Sequence, residues 1–158
     1  MKKVNIRRQT GFTMIEVLIV MMLIAVTLVL VAPNFMSNIR IAQFSSASDQ
    51  LVSDLNFARQ AAVDRNTNVT VVFNPNAANG PVYTISINGS VIRNRSFERA
   101  TYGVLALQSN AGNTLIFNNY GLPLDAGNNT PVSADVTLIA PDGQQRMIQI
   151  STVTGIIQ

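Results

Sequence analysis

The chain has 158 residues, 47% of them hydrophobic and 12% charged, which is enough apolar material for one modest domain and an appended element. Cysteine and histidine are absent, excluding disulfides, thiol chemistry, His-containing metal sites and Ser/His or Cys/His nucleophile pairs. The formal charge of +3 belongs to one end: Lys2, Lys3, Arg7 and Arg8 are four positives, whereas the remainder sets seven arginines against eight acids.

Lys and Arg clustered directly before an apolar run are what the positive-inside rule expects of a cytoplasmic segment; a solvated tail on a soluble domain is the plainer alternative. From Val17 to Ala32 the sequence reads VLIVMMLIAVTLVLVA, sixteen residues without charge and with only Thr27 polar. With its flanks, Phe12 to Phe35 is long enough to cross roughly 30 Å of hydrocarbon as a helix rising about 1.5 Å per residue. A single transmembrane span is expected. A secretory signal would end in a small-residue cleavage site, but Pro33, Asn34 and Phe35 follow here.

Glu16 stands inside the apolar segment, one turn from its boundary. A carboxylate in hydrocarbon costs on the order of 3 kcal/mol and is retained mainly where it finds a partner. The alternative is an interfacial Glu whose carboxylate reaches the headgroups.

The string Thr10-Gly11-Phe12-Thr13-Met14-Ile15-Glu16 behind a basic leader resembles the prepilin signal of type IV pilins and type II secretion pseudopilins. The resemblance implies cleavage by a prepilin peptidase between Gly11 and Phe12, methylation of the new Phe12 amine, and Glu16 as the fifth mature residue. It also implies a helix-kinking role for Pro33. Partners would be other major and minor pilins or pseudopilins, the inner-membrane assembly platform and membrane lipid. Cutting before Phe12 creates a positive amine about one turn from Glu16, so the amine of one subunit and the carboxylate of a neighbour can pair in low dielectric and set register.

Beyond Pro33 the apolar residues become one-sided: Phe35, Ile39, Phe44, Leu51, Leu55, Ala58 and Ala62 recur mostly at three- and four-residue spacings, with Arg40, Gln43, Asp49, Gln50, Asp54 and Arg59 between them. One helix is expected from Phe12 to about Asn66, roughly 80 Å long at standard rise. The texture then turns to β: Val69 to Phe73, Val82 to Ile87, an Asn88-Gly89 type I′ turn into Ser90 to Arg95, and short strands at Gly103 to Leu107, Thr114 to Phe117, Val136 to Ile139 and Arg146 to Ser151. Ser109 to Asn113 and Asp125 to Thr130 read as surface loops.

Leu55-Asn56-Phe57-Ala58-Arg59-Gln60-Ala61-Ala62 and Leu115-Ile116-Phe117-Asn118-Asn119-Tyr120-Gly121 resemble the GspH/FimT group of minor pilins and pseudopilins. That group's terminal Gly-Arg-Ile element is altered, with Ile156 where Arg is usual. FimT-like members are associated with DNA binding through basic residues near this terminus, and only Arg146 is close by. Arg93, Arg95 and Arg99 are the basic cluster of the head; Arg93 and Arg95 share one strand face and could meet phosphate, against the plainer reading of a solvated hairpin face.

The expectation is an α+β pilin-like chain: leader 1–11, membrane half of the helix 12–35, amphipathic half 36–66, and an antiparallel β head 67–158. It is expected to be a minor pilin or pseudopilin subunit held in the bacterial inner membrane by a single pass, head outside the cytoplasm. The alternative is a pilus-tip subunit binding DNA or a surface. No enzyme activity, cofactor, metal or nucleic-acid partner is expected: Asp125, Asp135 and Asp142 are dispersed in turn-like contexts.

Overall fold

Helix α1, Met14–Asp64, begins where the sequence offers a cap. The Glu16 N–H donates to the Thr13 carbonyl at 3.1 Å and to its hydroxyl Oγ1 at 3.3 Å, and the Val17 N–H to the same carbonyl at 3.3 Å. Thr13-Met14-Ile15-Glu16 has the Thr-x-x-Glu spacing of a capping box, with the acid in the positive first turn. This computed structural model describes residues 11–75, 77–125, 127, 130–154 and 156–157, the side chains of 30–37 excepted. The leader's Lys2, Lys3, Arg7 and Arg8, and the side chain of Pro33, lie outside the described residues.

The chain divides into two compact units, Met1–Ile39 and Arg40–Gln158. In the first, the described side chains of α1, apart from Glu16, Thr27 and Asn38, are apolar and exposed all round the helix, from Met14 through Leu18 and Met22 to Val29. A helix apolar all round is stable only when something covers it. Among the described residues no helical stretch is long and apolar enough to cross a membrane; the expected span also includes positions 30–35, whose side chains are not described.

In the second unit α1 buries one stripe. Phe44, Ala47, Leu51, Leu55, Ala58, Ala61 and Ala62 are buried, and Leu51 and Leu55 are completely so, each contributing about 1.5–3 kcal/mol. Asn66, at φ 48°, and Thr67 close the helix, with the Thr67 N–H donating to the Ala62 carbonyl.

The strands form two antiparallel sheets, where the sequence suggested one. β1 (Val69–Asn74), β2 (Val82–Ile87), β3 (Ser90–Ser96), β5 (Thr114–Phe117) and β6 (Pro123–Asp125) make five strands in the order β3-β2-β1-β5-β6. β4 (Ala106–Ser109), β7 (Ala134–Ile139) and β8 (Gln145–Ile150) make three in the order β4-β7-β8. Alternate residues of both sheets, among them Val69, Val71, Ile85, Leu115, Val136, Leu138 and Ile148, join the helix stripe in one hydrophobic cluster.

The expected hairpin is present: Asn88 and Gly89 have φ of 49° and 79°, the paired positive values that a type I′ turn requires. Other boundaries shift. Arg99–Tyr102 form a short helix, α2, closed by Gly103, so the strand expected at Gly103 starts instead at Ala106. β6 was not among the expected strands; it opens on Pro123 and pairs at a sheet edge, where proline is tolerated.

Candidate functional site

Gly11, Phe12 and Thr13 lie ahead of the helix in irregular backbone. Phe12 is 82% exposed, and a Cβ on Gly11 would meet nothing within 4 Å. The bond between Gly11 and Phe12 is thus in open, non-helical chain two residues before the first helical turn, the form in which a peptidase can engage a backbone. Glu16 is exposed one turn further on, its backbone N–H committed to Thr13. Phe12, Glu16, Val17, Val20, Met21 and Ile24 line one shallow apolar groove along this face.

The head holds a polar node that the sequence reading placed incorrectly. Asp54, assigned to the polar side of the helix, is fully buried. It follows the buried residues Ala47 and Leu51 and precedes Ala58 and Ala61 at spacings of four, three, four and three, so the signal for its burial was in the sequence. Its Oδ1 accepts from Arg93 Nη1 and from Gln50 Nε2 at 3.2 Å; its Oδ2 accepts from the Tyr83 hydroxyl at 2.7 Å and from Arg95 Nε at 3.2 Å. Four donors fill the lone-pair positions of an ionised carboxylate.

Register explains the convergence. Arg93 lies opposite Ile85 and Arg95 opposite Tyr83, both inward residues of β2, and a bulge at Ile92 sets this phase. The Arg93 guanidinium also covers the Phe57 ring at 4.0 Å. Tyr83 continues into a file of aromatic contacts, with ring centroids 6.4 Å from Phe73 and 5.4 Å from Phe97. Burial pushes the Tyr83 phenol up, and the hydrogen bond to Asp54 adds to it, so the hydroxyl stays a donor.

The basic cluster read from the sequence is therefore divided. Arg93 and Arg95 do share a face, but it is the face turned to α1, where they are paired with Asp54. Arg99 is on α2 and lines a separate cleft with Arg40. The three do not form one open phosphate-binding stripe.

The two head motifs singled out in the sequence meet. Gly121, at φ 76°, lies so close to α1 that an added Cβ would be 3.1 Å from Val63 Cγ2 and 3.2 Å from Arg59 Cγ. Arg59 Nη2 donates to the Thr154 carbonyl at 3.2 Å, tying the terminal turn to the same place. Ile157 bridges to Ile150 and is buried, whereas Ile156 is half exposed. Among the described residues no group of three His, Cys, Asp or Glu could hold a metal ion.

A capped apolar helix behind an open Gly-Phe bond, followed by an antiparallel head on the same helix, defines the prepilin-type class of filament subunit. Family comparison agrees: the model of the type II transport protein GspH matches residues 47–155, and that of the prokaryotic N-terminal methylation motif matches residues 6–32. The chain belongs to the GspH family and is a minor pilin or pseudopilin.

Among solved structures, the type IV minor pilin FimU of Pseudomonas aeruginosa is similar in fold. Its P21 crystal form is 19% identical, with a TM-score of 0.59 over 74% of this chain and 87% of that one. Its P65 form is 18% identical, with a TM-score of 0.56 over 72% and 90%. No curated protein sequence matches the chain.

Proposed function

We propose that this subunit is made as a precursor, held in the inner membrane by residues 12–35 with the head outside the cytoplasm, and released for assembly by a prepilin peptidase cutting between Gly11 and Phe12. The reading is carried by the exposed, non-helical Gly11-Phe12-Thr13 stretch within the segment that matches the methylation motif. Methylation of the Phe12 amine would follow. Loss of the leader also removes the four positives at Lys2, Lys3, Arg7 and Arg8, which weakens the electrostatic hold on the cytoplasmic face.

In a filament the Phe12 amine of one subunit pairs with the Glu16 carboxylate of a neighbour, and the all-round apolar surface of α1 is covered by other pilins. The mass and N-terminal sequence of the protein taken from membranes test the proposal. A start at methylated Phe12 is expected; an intact Met1, or a cut beyond Ala32, overturns it.

A further inference from the structure

Arg40 on α1, Arg99 on α2 and the turn between β7 and β8 enclose a cleft of about 380 Å³ within the second unit. Its wall is apolar, with Phe44, Ala140 and Pro141, and its charged groups are Arg40, Arg99 and Asp142. Neither Arg40 nor Arg99 forms an ion pair with an acid among the described residues. Asp142 is already engaged, accepting the Gln144 N–H at 3.1 Å. The turn is further fixed by the Ala140 N–H on the Gln144 carbonyl at 2.8 Å and the Gly143 N–H on the Ala140 carbonyl at 3.0 Å. Two arginines from separate elements thus line one partly apolar cleft, with one positive charge in surplus among its charged residues.

Such a surface matches a phosphate attached to a lipid: guanidinium for the oxygens, an apolar wall for the glycerol and upper acyl carbons. Arg40 also follows the last residue of the membrane half by five positions in the sequence, as expected of a residue meeting headgroups. We infer that this cleft binds the headgroup phosphate of a membrane phospholipid, an inference that rests on the membrane-anchored reading above. The bound lipid would hold the head to the bilayer until assembly withdraws the subunit.

The test uses the full chain in dodecyl maltoside micelles, which carry no phosphate, titrated with dihexanoyl-phosphatidylglycerol. The readout is hydrogen exchange of segments 40–44, 99–103 and 140–144. Saturable protection is expected, weakened about tenfold or more when Arg40→Gln and Arg99→Gln are combined, because each basic group contributes an attraction that a neutral amide lacks. Asp142→Asn keeps the acceptor of the turn and is expected to tighten binding. Protection unchanged in the double variant overturns the inference. So does equal protection by inorganic phosphate at the same concentration, or tighter binding of a DNA duplex. Flotation of the chain with galactolipid vesicles is scored separately: no flotation overturns the membrane reading, whereas flotation without phospholipid protection overturns the cleft assignment alone.

Discussion

The Tyr83 hydroxyl donates to the Asp54 carboxylate at 2.7 Å across 29 positions of chain, and this bond joins the helix to the second strand of the head. Arg93 and Arg95 complete the link from the third strand. A domain without cysteine has to hold its strands by packing and polar contacts, and here a single buried carboxylate ties the edge strand β3 and its neighbour β2 to the helix.

Asp54→Ala is expected to destabilise the head by about 3 kcal/mol, because it leaves two guanidinium groups and a buried phenol without their acceptor. The value falls at the lower end of the usual range because the Arg93 and Arg95 side chains keep 29% and 46% exposure and can rehydrate. The midpoint of urea unfolding at constant slope measures it. Adding Arg93→Met to Asp54→Ala should cost less than the sum of the single changes.

Tyr83→Phe keeps the rings packed and removes one hydrogen bond to a charged acceptor, an expected loss of about 1.5–3 kcal/mol at neutral pH. The pH dependence has a definite sign. The folded-state phenol is raised above the free value of about 10, so its stabilising contribution is complete below that pH. It is lost as pH rises further, because the unfolded chain then releases a proton that the folded head retains. Wild type should show this alkaline loss in unfolding midpoints, and Tyr83→Phe should lack this component of it.

Gly121→Ala should destabilise by about 1–3 kcal/mol. The added methyl meets Val63 and Arg59 at 3.1 to 3.3 Å, and the φ of 76° is strained for alanine in any case. Gly89→Ala makes the control: its φ of 79° is similar but nothing lies within 4 Å, so it reports the backbone strain alone. Thermal melting of the two variants separates packing from conformation.

At the N-terminus, Gly11→Ala is expected to leave stability unchanged, since its Cβ meets open space, and any lost processing then reports the peptidase's own requirement. Glu16→Ala removes the carboxylate but not the backbone N–H that closes the cap, so helix start and membrane insertion should persist while filament incorporation fails. Immunoblots of leader removal and of sheared filaments check both outcomes.

Much of this was legible in the sequence because it depends on local rules. The helix, the Asn88-Gly89 hairpin and the Thr114–Phe117 strand follow from periodicity and turn chemistry, and Gly11, Phe12 and Glu16 stand out at a polarity boundary. What escaped depends on register. Arg93 and Arg95 read as a solvent-facing pair until the bulge at Ile92 and the pairing with β2 show which way the strand turns. Asp54 was assigned by its charge, although its place in the four-three spacing of the buried stripe pointed inward. The division of strands into two sheets depends on pairings between distant segments, which composition does not encode.

The inward arginines have a consequence for how the head reaches its fold. β3 is an edge strand, and a slip of one residue would present Ile92 and Asn94 to the helix and send both guanidinium groups into solvent. Asp54 would then keep its Gln50 and Tyr83 donors but lose both cations, a penalty of several kcal/mol for a buried carboxylate. The carboxylate therefore proofreads the hairpin: it favours the one alignment of the edge strand that brings both guanidinium groups to it.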